Sequence, residues 1–177
     1  GRYFYQANGG IDGSVVTAAG AVPRVRTCLD RSDRLGSFMA RWAIGRDDYR
    51  VAPGLYAVGD PTGGSPVLVS ANYKMSFDRL RSVLAGRAAW ILVLDTKGVN
   101  VWCAAGKGTF GTDEIVRQVQ AASLDRVVDH RALVVPQLGA PGVAAHEVRA
   151  RTGFRVVYGP VRAEDLPAFL DAGLKAP

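Results

Sequence analysis

The feature that most limits what this chain can fold into is a regular alternation of short apolar runs and amphipathic stretches from Pro66 onward. Val67-Leu68-Val69 reads as a strand, followed by a loop and by a helix that Ser76 caps. That helix carries Phe77, Leu80 and Leu84 inward and is expected to end near Gly86. Trp90 to Leu94 reads as the next strand. Thr112 then opens a helix with Ile115, Val116 and Val119 on one face, and with Asp113 and Glu114 in its first turn, where acids suit the positive end of the helix dipole. Ala132 to Val135 reads as a third strand, and Pro141 as the start of a helix that Gly153 stops. Phe154 to Tyr158 reads as a fourth strand, and a last short helix begins near Glu164 or Pro167.

Strands and helices in turn predict an α/β fold, Rossmann-like, with a mostly parallel sheet covered by helices on both faces. Such sheets bind ligands outside the carboxyl ends of their strands. The candidate site is therefore built from the loops 70–75, 95–111, 136–142 and 158–162.

The chain before Pro66 is less regular. Residues 1–22 are rich in Gly, Ala and Ser and are expected to form a flexible lead-in, with 23–177 as one folded domain. Ser32 is expected to cap a helix whose stripe Leu35, Phe38, Met39 and Trp42 faces the core, with Gly45 as its stop. Residues 49–58 offer one or two short strands around Pro53-Gly54.

Composition narrows the function classes. No apolar run approaches the roughly 18–20 residues that cross a bilayer, nor does the N-terminal stretch have the apolar core of a leader, so the chain as written is expected to be soluble. A formal charge of +6, with Arg24, Arg26, Arg31, Arg34, Arg41, Arg46 and Arg50 lying early, favours acidic partners. The basic residues are dispersed and no aromatic-interleaved RNA motif occurs, so nucleic acid is not among the expected partners. Two cysteines, Cys28 and Cys103, form no CxxC pair and are too few for a disulfide framework, a zinc site or an iron–sulfur site.

The loop 95–111 is seventeen residues long, well beyond the two to six of an ordinary connection, so it is expected to be functional or to hold structure of its own. A phosphate-binding Walker loop is ruled out, because Val101 stands where the first glycine belongs and Gly108 where a Ser or Thr belongs. Gly106, Gly108 and Gly111 satisfy GxGxxG literally, but the preceding strand ends about a dozen residues too early and no acid follows the next strand to bind a ribose. Cys103 supports a third reading. It follows Trp102 and precedes Ala104-Ala105-Gly106, a surface with little bulk against which a flat macrocycle could lie. A short helix over 101–107 would place the thiolate, a soft donor to transition metals, near its start. From the residues alone, a ligating cysteine and an inert buried one stay open.

Asn100-Val101-Trp102-Cys103-Ala104-Ala105-Gly106-Lys107 resembles the NVWCAAGK signature of the HgcA family, the corrinoid proteins of microbial mercury methylation. The run Val99 to Thr112, Asn72-Tyr73-Lys74, and the segments 136–147 and 154–160 are similar too, so the likeness spans roughly 50–170. A more distant similarity is to the corrinoid iron–sulfur protein of acetyl-CoA synthesis, in which the position equivalent to Cys103 is not a cysteine. The resemblance implies a cobalamin-type corrinoid bound with its own base off the cobalt, and a short cap helix carrying Cys103 as the lower axial ligand of the metal. It implies a cofactor site from Asn72, Tyr73, Asn100, Val101, Trp102, Cys103, Ala104, Ala105, Gly106, Lys107, Gln137, Gly139 and Gly142, with Cys103 also the catalytic residue. Asn100 is expected to orient the loop, and Trp102 to pack against either the corrin or the core. His130 and His146 are not expected to bind cobalt, since the DxHxxG motif is missing. The activity implied is methyl transfer from a methyl-donor protein or methylated pterin to mercuric ion, giving methylmercury, with a ferredoxin-like partner, HgcB, as electron donor. The family places this domain on the cytoplasmic side of the membrane through C-terminal helices that this sequence lacks. A corrinoid-binding methyl-carrier module without methylating activity is the alternative.

Overall fold

The computed structural model describes residues 3–5, 10–42 and 49–175. Seven strands form one sheet in the order β1-β2-β3-β5-β4-β6-β7. They are β1 (Ile11–Thr17), β2 (Gly20–Val25), β3 (Gly54–Val58), β4 (Val67–Ala71), β5 (Ala89–Leu94), β6 (Ala132–Val135) and β7 (Arg155–Tyr158). The pairs β2–β3, β4–β5, β4–β6 and β6–β7 are parallel, while β1–β2 and β3–β5 are antiparallel. The α/β, mostly parallel, Rossmann-like architecture is the one the alternation predicts.

The helices are α1 (Arg31–Arg41), α2 (Lys74–Val83), α3 (Val101–Gly106), α4 (Thr112–Ala121), α5 (Ala145–Thr152) and α6 (Leu166–Asp171). β5 shows why both faces of the sheet are covered. Its residues are all buried, and they alternate between two cores: Trp90, Leu92 and Leu94 on one side, Ala89, Ile91 and Val93 on the other. The first core takes Ala104 of α3, Ile115 and Val119 of α4 and Val148 of α5. The second takes Phe77 of α2, Phe169 of α6, and Phe4 and Tyr5.

From β4 the chain moves to its neighbour β5, then returns to place β6 on the other side of β4. The connection reverses direction there, so a crevice opens between the carboxyl ends of β4 and β6.

Four expectations are corrected. Residues 11–25 form an antiparallel hairpin rather than an element-free lead-in. A register shift between Ile11 and Ser14 breaks the alternation by which a strand is read from sequence. Ser76 lies inside α2, whose N-cap is Tyr73. Pro141 lies in a 3-10 turn, Gln137–Gly142, and α5 begins only at Ala145, although Gly153 ends it as expected, in the left-handed region. The largest difference concerns α1. Its cap is Asp30, not Ser32: Asp30 Oδ1 accepts from Asp33 N–H at 2.9 Å, and Asp33 Oδ2 accepts from Asp30 N–H at 3.1 Å. Its stripe does not face the core. Leu35, Phe38 and Trp42 are 62%, 58% and 66% exposed. The stop expected at Gly45 lies outside the described residues.

The face α1 turns inward is polar. Asp33, Lys74, Asp78 and Arg81 are all buried. Arg81 reaches Asp33 at 2.6 Å and Asp78 at 2.9 Å, Lys74 pairs with Asp78, and Tyr5 donates to the same carboxylate. Two acids and two bases balance, so α1 is held to α2 by charge, with its apolar side left outward.

Candidate functional site: a half-buried thiol beside the crevice

The loop after β5 is positioned by one buried amide. Asn72 Oδ1 accepts from Thr96 N–H at 3.0 Å, Thr96 Oγ1–H at 3.0 Å and Gly98 N–H at 2.9 Å. Thr96 Oγ1 in turn lies 2.7 Å from the Val99 carbonyl. This knot fixes where α3 begins. Asn100 then caps α3, its side-chain oxygen accepting from the Cys103 N–H at 2.9 Å.

α3 has a buried side and an open one. Ala104 and Ala105 are buried and Val101 packs on the first core, whereas Trp102, Gly106 and Lys107 are exposed. Cys103 is half-buried and forms no disulfide. The thiol is therefore presented at the edge of the open face, not sealed inside. Trp102, at 69% exposure, does not pack in the core.

A cavity of about 220 Å³ lies in the crevice. β4 contributes Leu68, Val69 and Ser70, β6 contributes Val134, and α2 contributes Ser76, Arg79 and Leu80. Val101 of α3, Pro136, Leu138, the segment from Gly159 to Ala163, and Leu166 of α6 complete the lining. The walls are mainly apolar, and two guanidinium-bearing residues, Arg79 and Arg162, line it as well. Arg79 is ion-paired with Glu164.

The residues predicted for the site divide into four groups. Val101, Trp102, Cys103, Gly106 and Lys107 come together on or beside the accessible part of α3, and Gln137 is exposed on the neighbouring turn. Asn72, Asn100, Ala104 and Ala105 support that surface from below or within. Tyr73 caps α2 and its hydroxyl lies 3.0 Å from Met75 Sδ. Gly139 and Gly142 serve packing. A Cβ at Gly139 would stand 2.4 Å from the Phe110 ring, and one at Gly142 would stand 2.1 Å from the Phe110 carbonyl oxygen. Only glycine lets this turn approach Phe110 so closely.

Of the cavity wall, Ser70, Val101, Leu138 and Arg162 lie in the loops read from the sequence as the candidate site, whereas the contribution of α2, Ser76, Arg79 and Leu80, was missed. That wall could have been found only with the order of strands, which shows where the sheet reverses. The GxGxxG run does not stand at a strand-to-helix turn: Gly106 ends α3 and no strand precedes it directly. His130 lies just before β6, its Nε2 2.8 Å from the Ser65 carbonyl and its Nδ1 accepting from Ala132 N–H at 3.2 Å, and His146 is exposed on α5. Among the described residues no three His, Cys, Asp or Glu side chains gather where they could hold a metal, and no helix is long and apolar enough to cross a membrane.

Residues 42–170 match the family model described as CO dehydrogenase/acetyl-CoA synthase delta subunit. The acetyl-CoA decarbonylase/synthase complex subunit gamma of Methanopyrus kandleri is 33% identical over 128 residues, covering 71% of this chain and 27% of that protein. Its counterpart in Archaeoglobus fulgidus is 30% identical over the same length, with the same coverage of each. Subunit gamma 2 of Methanosarcina thermophila is 29% identical over 121 residues, covering 66% of this chain and 25% of that protein. The chain thus spans about a quarter of the length of these relatives. These matches agree with the more distant of the two resemblances read from the sequence. By the span and position of its match, the chain belongs to the CO dehydrogenase/acetyl-CoA synthase delta subunit family.

Proposed function

We propose that this chain is the corrinoid-binding domain of a methyl carrier, with Cys103 as lower axial ligand of the cobalt and mercuric ion as methyl acceptor. The observation that carries the reading is the placement of Cys103: a half-buried thiol on the open edge of α3, whose first residue lines an apolar cavity at the switch point of the sheet. The residues fit the group. A metal at Cys103 would have to bring most of its ligands with it, as a macrocycle does, since no three His, Cys, Asp or Glu side chains gather there among the described residues. Gly106, beside Cys103 on the open face, leaves room for a flat ring, and nothing stands within 4 Å of where its Cβ would lie. The apolar cavity suits a planar base on a flexible tail, and Arg79 and Arg162 suit a phosphate on it.

When bound, a corrinoid supplies a cobalt centre that accepts a methyl group and gives it up. The chain's own part is to orient and to donate. Asn100 and Asn72 hold α3 in place, and Cys103 would offer an electron-rich sulfur to the metal. Donation from a thiolate would favour departure of a methyl group as a carbanion, the form that combines with mercuric ion to give methylmercury, and a neutral imidazole would donate less. The mercuric reading rests on the run from Asn100 to Lys107, which carries the resemblance to the HgcA family. On the same reading, a ferredoxin-like HgcB returns the cobalt to its reduced state, a methyl-donor protein or methylated pterin loads it, and the full-length protein works on the cytoplasmic side of the membrane.

The second reading is a corrinoid-binding carrier without methylating activity of its own. Membership of a family whose named relatives are subunits of a larger complex favours it. Absorption spectra of cobalamin with wild type and with Cys103→Ala test the shared part. A base-off, sulfur-ligated spectrum is expected for wild type only, and coincident spectra would overturn the ligand assignment. Single-turnover incubation of the methylcobalamin-loaded chain with mercuric ion then separates the readings: methylmercury supports the first, and bound cofactor without product supports the second.

A further inference from the structure

We infer that the outer face of α1 is a docking surface for an anionic lipid bilayer. The face consists of Arg31, Arg34, Leu35, Phe38, Arg41 and Trp42, all exposed. These positions follow the i, i+3, i+4, i+7 spacing that places residues on one side of a helix. Phe38 and Trp42 lie side by side, ring centroids 6.4 Å apart. A contiguous patch of leucine, phenylalanine and tryptophan is not a surface that a soluble helix keeps in water without a counterpart.

The orientation of the helix is enforced. Asp33, the only acid within α1, is buried against Arg81 and Lys74, and Gly36 stands so close that a Cβ there would meet the Phe4 ring at 2.6 Å and Lys74 Cε at 2.8 Å. Rotating the apolar stripe inward would strand that carboxylate and two buried cations, so the stripe stays outside.

Charge selects the occupant. Among the described residues, none of Arg31, Arg34 and Arg41 pairs with a carboxylate and no acid stands on the outer face of α1. Three unpaired guanidinium groups beside exposed Leu, Phe and Trp form the pattern of a helix lying in the interface of an anionic membrane: aromatic and aliphatic side chains enter the headgroup boundary, and arginines meet lipid phosphates. A second copy of this chain would oppose like charges across the same patch. The convex single-helix shape suits a deformable bilayer, and the cationic rim suits its surface potential.

The test uses the full chain and co-sedimentation with vesicles, either equal parts phosphatidylglycerol and phosphatidylcholine or phosphatidylcholine alone. Binding to the anionic vesicles alone is expected. Arg34→Glu/Arg41→Glu and Phe38→Ser/Trp42→Ser should each weaken it about tenfold or more, with thermal unfolding unchanged because the replaced side chains are exposed. Val16→Ser, which alters a side chain 84% exposed on β1, should leave binding as it is. Equal binding to both vesicle types, binding that survives both double variants, or no binding to either vesicle would each overturn the inference; the last would point to an acidic protein partner instead.

Discussion

The side-chain oxygen of Asn100 accepts the backbone N–H of Cys103 at 2.9 Å, so the residue that starts α3 also orients the residue that carries its thiol. Asn100→Ala should destabilise the fold by about 1 kcal/mol, the usual cost of a lost N-cap. It should also weaken cobalamin binding, because the first turn that holds the sulfur loosens. Asn100→Asp keeps the acceptor and should restore most of both. Denaturant unfolding and cobalamin titration of the two variants check this.

Glycines of the site separate into packing and access positions. Gly142→Ala forces a methyl against the Phe110 carbonyl, a backbone atom with nowhere to move, and should cost about 1–3 kcal/mol by overpacking. Gly106→Ala meets nothing within 4 Å and should stabilise α3 by roughly 0.5–1 kcal/mol on helix propensity. If a flat ring lies over that face, the same variant should bind cobalamin more weakly. A variant that is more stable yet binds less is the expected outcome, read from paired melting and titration curves.

Leu138, 42% exposed, lines the cavity in the crevice. Leu138→Asp should leave folding almost unchanged, because the side chain is already partly in water. It should lower cobalamin affinity by about 2 kcal/mol, the worth of a buried leucine contact. Unaltered affinity would place the cofactor tail elsewhere.

The buried charges under α1 impose a pH dependence. Burial pushes the Asp78 carboxyl up to about 6 against the pull of Arg81, and the Lys74 ammonium down to about 8 against the opposing charge of Asp33. For Asp78 the folded state holds the proton more tightly than the unfolded one, so its contribution is present below pH 3.8 and is lost as pH rises through 6. For Lys74 the folded state releases the proton more readily, so its contribution is present above pH 10.5 and is lost as pH falls through 8. Relative to Lys74→Met/Asp78→Leu, wild type should be least stable between those two folded values and should gain toward both sides. Lys74→Met alone should cost about 3–5 kcal/mol near neutrality, since it leaves two carboxylates facing one guanidinium. Unfolding free energies measured across the pH range test both statements.

The strands β4 to β7 and the helices between them were legible in the sequence because each is a continuous apolar run or stripe bounded by Gly, Pro or Asn. Period and punctuation are local properties of the chain. The cap helix at Cys103 was implied by the resemblance of the run Asn100 to Lys107 within an overlong loop, but Asn100 was not read as its cap, because a lone Asn before Val-Trp-Cys carries no helical period of its own. The β1–β2 hairpin was not legible, because a bulge shifts its register and its side chains are mostly exposed. The cavity was legible in part: its loop residues, such as Leu138 and Arg162, fall in the segments read as the site, while its α2 wall follows only from the sheet order that reverses between β4 and β6. α1 marks the boundary most sharply. Its sequence determined that an amphipathic helix forms there, with a polar side and an apolar side. Which side turns inward was decided by Lys74 and Arg81, more than thirty residues away, because two buried cations need the Asp33 carboxylate more than the core needs another leucine.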